Sequence, residues 1–440
     1  MRAATRMLAI LTFFLAALPA HADVDAIDVA IGQPVGKVQL DFGITYTQQT
    51  IPSDEYPQAV KNAKSIMRRL AHYQNVHIMG WGVPSPEPSP GKFEWAPLDR
   101  RLSMVRETGG IPVITLCCAP DWMKGGRENE TDWSNLKGAP TPDHFKDFAA
   151  LARQIALRYP DVKHFQVWNE FKGFWSQAER RWDYEGYTEF YNSVYDALKG
   201  VSSDIQVGGP YTPMTHMGSL GPRDSGPISG SYGTVSRKIT DAFQYWLSHK
   251  HGADFVTVDG HARPKDGSVA DIFSDIQFYA DVDDWIRRQT NLPIWWAEWY
   301  TIPDPGNSMP DDLMREYQNA VMTATLVAMA PTASVALRWG PEESERPPYL
   351  IADQEGLWSS TLSPNGGEPL PFASSVEQFE HCFPRDQTLY GSRVSGQGVI
   401  ALASTECVLL INRTSASLNV KLAGKQISLG PFAVDYVPRH

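Results

Sequence analysis

The sequence lacks the features that mark zinc-binding, nucleic-acid-binding and repeat proteins. It has only four cysteines in 440 residues, and no cysteine or histidine spacing that is typical of a zinc site. Positive charge is also scarce, since 39 Lys and Arg stand against 50 Asp and Glu, for a net charge of −11. A nucleic-acid partner is therefore not expected, because such a protein needs a basic surface. Sequence repeats and low-complexity segments are absent as well.

Long apolar runs are lacking beyond the N-terminus. The run Met7–Leu18 follows Arg2 and Arg6, is too short to span a bilayer, and precedes the small-x-small triplet Ala20-His21-Ala22. This pattern predicts a signal peptide at residues 1–22 and a periplasmic or secreted protein, with an N-terminal anchor as the alternative. We expect no membrane span in the mature chain.

The few cysteines fall into two pairs. Cys382 and Cys407 lie in the last quarter of the chain, and export would allow them to form a disulfide. Cys117 and Cys118 are neighbours on one predicted strand, where consecutive side chains point to opposite faces. The sequence alone leaves the first pairing open, and for the second pair it favours buried free thiols.

Two short apolar runs that end in a glutamate organise the rest of the chain. The first is Phe165–Glu170, which ends in Trp-Asn-Glu, and the second is Leu292–Trp299, which contains Glu298. The glutamates are about 130 residues apart, or three units of a (β/α)8 barrel at roughly 30–45 residues per unit. They are therefore predicted at the ends of the fourth and seventh barrel strands, on the face where such barrels place their active sites.

The pattern of strands and helices supports this assignment. Short apolar strands alternate with amphipathic helices up to about residue 383, which predicts eight βα units and a TIM barrel over residues 23–383. From residue 384 to 440 only short strands follow, which predicts a small C-terminal β-sandwich domain. Residues 24–38 are a candidate strand that joins this second domain. The segment 209–233 is expected to be a long loop on the catalytic face.

These residues resemble glycoside hydrolase clan A, and within it family 39, which holds β-xylosidases, α-L-iduronidases and exopolysaccharide glycosidases. The resemblance implies that Glu170 is the acid/base, that Glu298 is the nucleophile, and that Asn169 holds the 2-hydroxyl of the sugar. The sequence departs from many family members at Phe171, where they have proline. The structural alternative for the glutamates is a cap or an arginine partner, but a carboxylate among aromatic residues at a buried strand end is costly without a function.

Further candidates are aromatic or histidine residues on predicted catalytic-face segments. His261, near Asp259, would hydrogen-bond the nucleophile or lie in a surface loop, and Trp339 would be a sugar platform or a packing residue. The remaining candidates for sugar contacts, each of which could equally pack in a wall, are Trp122, Trp81, Trp175, Tyr211 and Trp299. Cationic loop residues, among them Lys172, indicate either an anionic sugar or solvated loop charge.

The function predicted from the sequence is a retaining glycoside hydrolase that needs no metal or cofactor. Its partner would be a polysaccharide or oligosaccharide, and we expect cleavage within an exopolysaccharide because the predicted catalytic-face loops are long and rich in tryptophan. One alternative is an exo-acting β-xylosidase-like enzyme. The other is a non-catalytic polysaccharide-binding protein, which the presence of both carboxylates disfavours.

Overall fold

The computed structural model describes residues 26–52, 56–267, 271–300, 309–343 and 356–439. The predicted signal peptide lies outside these residues. Within them, no helix combines the length and the apolar character that a membrane crossing requires. The helices are α1 Pro57–Leu70, α2 Ala96–Glu107, α3 Phe145–Arg158, α4 Tyr184–Lys199, α5 Arg237–His249, α6 Ile272–Asp275, α7 Gln277–Gln289, α8 Asp311–Met329 and α9 Pro371–Cys382.

The strands are β1 Ile27–Lys37, β2 Asp41–Thr45, β3 Tyr73–His77, β4 Ile111–Leu116, β5 His164–Val167, β6 Trp175–Ser176, β7 Arg181–Trp182, β8 Gln206–Pro213, β9 His216–Met217, β10 Ser225–Gly230, β11 Gly233–Ser236, β12 Phe255–His261, β13 Ile294–Tyr300, β14 Val335–Trp339, β15 Thr388–Val394, β16 Val399–Ala403, β17 Cys407–Asn412, β18 Leu418–Leu422, β19 Lys425–Leu429 and β20 Val434–Pro438.

Eight of these strands form a closed parallel barrel in the order β2-β3-β4-β5-β8-β12-β13-β14. The predicted TIM barrel is therefore confirmed, with β5 as its fourth and β13 as its seventh strand. Its interior is filled by side chains that include Val113, Phe255, Trp295 and Leu337, with the rings of Phe255 and Trp295 stacked at 4.2 Å. Such a packed interior leaves only the ends of the barrel for a ligand, as is general for this fold.

The predicted β-sandwich domain is also present, as a seven-stranded sheet in the order β19-β18-β1-β15-β16-β17-β20. Strand β1 pairs antiparallel with β15 and parallel with β18, so the start of the described chain is part of this sheet. Along β17, Val408 and Leu410 face the domain's own core, whereas Leu409 and Ile411 pack against the barrel core. This alternation has the period of two that a strand imposes, and it joins the two domains through apolar contacts.

Both cysteine pairs form disulfides. Cys382 at the end of α9 is bonded to Cys407 at the start of β17, with a Cα–Cα distance of 5.5 Å. Cys117 and Cys118 are bonded to each other, so the expectation of free thiols was wrong. The chain leaves β4 at Leu116, and the strand alternation on which that expectation rested does not apply to these two residues.

The segment 209–233 is more ordered than expected. Strand β8 continues to Pro213, and β9, β10 and β11 form a small three-stranded antiparallel sheet in the order β10-β11-β9. The sequence-based expectation of a long structureless loop was therefore wrong. The short runs of this segment around the glycines at 226, 230 and 233 pair with one another. Gly233 has φ +102°, and a Cβ added there would lie 2.1 Å from the carbonyl oxygen of Met217, so this position requires glycine.

Candidate active site

Glu170 is presented by an unusual turn that follows β5. Trp168, Glu170 and Phe171 all have positive φ angles, of 69°, 51° and 54°. Each such non-glycine residue costs roughly 1–3 kcal/mol, and strained residues of this kind cluster at functional sites. Proline cannot adopt a positive φ, so this turn could not accommodate proline at Phe171. The indole Nε1 of Trp168 donates to the carbonyl oxygen of Lys172 at 2.6 Å and closes the turn.

Glu298 reaches the mouth of the barrel because β13 contains an irregularity. Trp295 points into the barrel interior and Trp296 donates outward to Asp283, so strict alternation would point Glu298 outward too. The register between β12 and β13 shifts at this point, from Val258 opposite Trp296 to Asp259 opposite Glu298. The extra residue re-aims Glu298 inward, which is a common use of a bulge beside an active site.

The carboxylate of Glu298 is buried, with 5% of the residue exposed, and it is held by several polar groups. Its Oε1 accepts hydrogen bonds from the Tyr211 hydroxyl at 2.8 Å and from Asn169 Nδ2 at 3.3 Å, and it lies 3.9 Å from His77 Nε2. Burial, followed by the negative charge of Glu170, raises the pKa of Glu298 to about 7. Burial also lowers the pKa of His77 to about 3, so this imidazole is neutral at physiological pH.

Asp259 adds a third carboxylate that the sequence reasoning did not select. One oxygen from each of Glu170, Asp259 and Glu298 lies within 4.8 Å of the other two. Asp259 is 4% exposed, and burial, followed by the charges of Glu170 and Glu298, raises its pKa well above the usual range. The trio has the spacing of a cation site, but Lys172 already supplies positive charge there. The expectation that no metal is needed stays a prediction.

Lys172 is the cation of the site. Its Nζ donates to Glu170 Oε1 at 2.6 Å and to Asn169 Oδ1 at 3.0 Å, and its side chain is 20% exposed. Burial would lower the pKa of Lys172, but the charges of Glu170 and Glu298 outweigh that effect and raise it. The residue therefore bridges both members of the Asn-Glu pair.

Aromatic side chains form two walls near these groups. On one side His261 packs against Tyr300 at 5.2 Å between ring centres, and Tyr300 packs against Trp339 at 5.5 Å. On the other side Trp81 packs against His77 at 4.3 Å. Trp81 therefore packs on the histidine next to Glu298, Trp339 packs against Tyr300, and the expected role of both as sugar platforms stays a prediction. His261 lies in the first wall, and the hydrogen bonds expected from it to the nucleophile come from Tyr211 and Asn169.

Two of the sugar-contact candidates are placed differently from the expectation. Tyr211 is fully buried and donates to Glu298, so it does not line an outer subsite. Trp299 is fully buried and packs edge-on against Phe42 and Phe372, on the helix side of the barrel. Trp299 points outward because side chains alternate along a strand, and the bulge turns the preceding residue, Glu298, inward.

The other two tryptophans lie in catalytic-face loops. Trp122 is half-buried, and its Nε1 donates to the carbonyl oxygen of Glu87 at 2.9 Å. Trp175 is 39% exposed and packs edge-on against Trp182 at 5.2 Å. Of the two, Trp175 keeps more surface for a sugar ring.

Sequence reasoning missed His77, Tyr300 and the role of Asp259, and it named Lys172 only as one of several cationic loop residues. His77 and Tyr300 are the last residues of β3 and β13, and Asp259 lies near the end of β12. Polar residues at the carboxyl ends of barrel strands are positioned over the active site, so this signal was present in the sequence. The contact of Lys172 with Glu170 had no signal in the sequence, because it depends on the left-handed turn.

Comparisons with known proteins agree with this architecture. No protein-family model matches the chain, and no curated protein matches it. A monomeric β-xylosidase from Caulobacter crescentus matches with a TM-score of 0.56 and 15% identity, over 94% of this chain and 96% of that chain. The GH39 enzyme from Xanthomonas axonopodis pv. citri matches with a TM-score of 0.56 and 19% identity, over 89% and 76%.

A third match is the catalytic domain of the GH30 xylanase C from Talaromyces cellulolyticus, with a TM-score of 0.56 and 12% identity, over 93% of this chain and 97% of that chain. At these identities the likeness establishes the fold. The chain therefore has the architecture of clan A glycoside hydrolases, as the sequence resemblance predicted.

Proposed function

We propose that the protein is a retaining glycoside hydrolase that acts on a polysaccharide. The observation that carries the proposal is the pair of carboxylates, Glu170 and Glu298, whose oxygens approach within 4.8 Å at the mouth of the barrel. Retaining enzymes hold their two carboxyl groups about 5–5.5 Å apart, whereas inverting enzymes need about 6.5–9.5 Å to accommodate a water molecule. The fold likeness to xylosidases and a xylanase supports the same reaction class.

The reaction proceeds in two displacements. The Glu298 carboxylate attacks the anomeric carbon while Glu170 gives its proton to the leaving oxygen, and a glycosyl-enzyme ester forms. Glu170 then takes a proton from water, whose oxygen displaces Glu298 and regenerates both groups. Asn169 donates to Glu298 in the free protein, and we expect its amide to bind the 2-hydroxyl of the sugar.

Proton NMR of the first product tests this mechanism. A retaining enzyme releases the anomer that the substrate contained, and inversion of the anomeric centre would refute Glu298 as the nucleophile. A polysaccharide panel that shows no release of reducing ends under any condition, together with measurable binding, would favour the non-catalytic alternative.

We further propose cleavage within the polymer, outside the cytoplasm. Support for cleavage within a polymer comes from Trp133 and Trp175, which are 57% and 39% exposed in loops of the catalytic face and can stack on additional sugar rings. The Cys382–Cys407 disulfide fits an oxidising, periplasmic or extracellular location.

Product size distinguishes the two modes of action. An endo-acting enzyme should release oligosaccharides early and lower viscosity faster than it releases reducing ends. Monosaccharide as the sole early product, with good turnover of nitrophenyl xyloside, would favour the exo-acting alternative.

A further inference from the structure

A second lysine lies beside the Lys172–Glu170 ion pair. Lys137 is on the loop that follows β4, and its positive charge and that of Lys172 are close enough to affect each other. Partial burial, followed by the charge of Lys172, lowers the pKa of Lys137. Within the described part of the chain, no carboxylate lies at ion-pair distance from Lys137. Lys137 is also an exposed residue, so its ammonium group is open to a ligand.

The loop that carries Lys137 is fixed against the catalytic turn by close packing. A Cβ added at Gly173 would lie 2.2 Å from the backbone nitrogen of Ala139 and 2.8 Å from the carbonyl oxygen of Lys137. Gly173 also has φ +81°, which favours glycine. On the same loop, Leu136 packs over Gly80, and a Cβ added at Gly80 would lie 2.9 Å from Cδ2 of Leu136. The backbone contacts require glycine at Gly173, and they hold the backbone of Lys137 next to the turn that carries Lys172.

A buried ion pair anchors the start of the same loop. The Nζ of Lys124 is 2.7 Å from Asp121, with both side chains at most 5% exposed, and it donates to the carbonyl oxygen of Asn135 at 2.8 Å. The loop is thus pinned at Asn135 and at Ala139, on both sides of Lys137. The backbone around Lys137 is therefore in place before any ligand arrives, which lowers the entropic cost of binding.

Catalysis changes the charge balance around Lys172. Glu170 must carry a proton when the glycosidic bond breaks, so the direct partner of Lys172 at 2.6 Å becomes neutral at that step. A largely buried cation that loses its partner is unfavourable. An anionic group on the substrate would replace the lost charge.

The cleft also offers a surface for the sugar that carries such a group. The Nζ of Lys172 lies 5.9 Å from the centre of the Trp81 ring, whose partner in packing is His77. Indole rings stack on sugars, so a sugar ring seated near Trp81 would bring its substituents within reach of the Lys172 ammonium group.

We propose that Lys172 and Lys137 form a binding site for the carboxylate of an acidic sugar, such as a uronic acid, within the polysaccharide substrate. This inference rests on the proposed glycosidase function. Of the two interpretations that the sequence left open for the cationic loop residues, it selects the anionic sugar over solvated loop charge. It also adds Lys137 to these residues.

Binding of two monosaccharides tests the site without any need for turnover. Ligand-observed NMR titrations would compare sodium glucuronate with glucose on the wild-type protein, on Lys137→Met and on Lys172→Met. We expect glucuronate to bind about tenfold more tightly than glucose, as for one charge-assisted contact, and the preference to weaken as salt is raised. Either variant should reduce the preference to near unity. Arg127→Met is the matched control, because Arg127 lies on the same loop with an 82% exposed side chain, and it should keep the preference.

A paired hydrolysis experiment separates this inference from the proposed function. Acidic bacterial polysaccharides that contain glucuronate would be compared with their carboxyl-reduced forms, in which each carboxylate has become an alcohol. Faster cleavage of the acidic form, with the difference lost in Lys137→Met, supports both ideas. Equal binding of glucuronate and glucose, or a preference that both lysine variants retain, overturns the acidic-sugar site. A glucuronate preference without cleavage of any polymer would leave the site standing and refute the glycosidase.

Discussion

The hydroxyl of Tyr211 lies 2.8 Å from Oε1 of Glu298, and both residues owe their orientation to an irregularity in a barrel strand. The pairing of β8 with β12 shifts at Tyr211, from Pro210 opposite Thr257 to Thr212 opposite Val258. The pairing of β12 with β13 shifts just before Glu298. Two bulges thus aim a phenol and a carboxylate at each other across the mouth of the barrel.

Removing this contact should weaken the nucleophile. We expect Tyr211→Phe to lower kcat/KM about ten- to hundredfold, because a hydrogen bond to a charged group contributes roughly 1.5–3 kcal/mol. The hydrogen bond also lowers the pKa of Glu298, so its loss should move the acidic limb of the pH–rate profile to higher pH. A profile that is unchanged in both height and position would show that the contact has no role in catalysis.

The two glutamates should fail in different ways. Glu298→Ala should abolish turnover, because no glycosyl-enzyme can form. Glu170→Ala should keep activity on aryl glycosides with good leaving groups, which need no proton, and added azide should give a glycosyl azide with the anomeric configuration of the substrate. If azide instead rescues Glu298→Ala with that same configuration, the two roles are exchanged.

Activity should fall as the pH drops through about 7. The nucleophile must be ionised to attack, and burial together with the charge of Glu170 raises the pKa of Glu298 to about 7. The ionised form therefore predominates above this pH and is lost below it. The measurement is kcat/KM against pH, and an acidic limb near pH 4–5, the range of an unperturbed glutamate, would contradict the expectation.

Asp259 should behave as a neutral group in that profile. Burial and the two glutamates raise the pKa of Asp259 well above its usual range, so we expect a protonated carboxyl there, which Asp259→Asn would replace by a neutral group of the same shape. We expect the acidic limb to stay within a few tenths of a pH unit of the wild type. A shift to lower pH by about one unit would show that Asp259 is ionised and repels the charge on Glu298.

The disulfide between Cys382 and Cys407 should stabilise the contact between the two domains. It closes a segment with a sequence separation of 25, for which chain-entropy reasoning gives about 3.5 kcal/mol. We expect the double variant Cys382→Ala/Cys407→Ala to lose about 2–4 kcal/mol of unfolding free energy in urea titrations. Unchanged stability would show that apolar packing and the Tyr436–Ser375 hydrogen bond already hold the domains together.

The barrel, the β-sandwich and both glutamates could be predicted from the sequence because each depends on a local pattern. Strand length, helical periodicity and a carboxylate at a strand end can be recognised in the sequence without knowledge of any tertiary contact. The alternation of side chains along β13 could also have excluded Trp299 as a sugar platform, since Glu298 and its neighbour cannot face the same side.

The sequence by itself thus determined the architecture and the identity of the two central carboxylates. Only the tertiary structure decided what surrounds them. Tyr211 reaches Glu298 through a bulge, Lys172 reaches Glu170 through three residues with positive φ, and Lys137 is held near Lys172 by glycine contacts between loops. These placements depend on the register between strands and on packing between distant segments, which the order of residues along one segment does not specify.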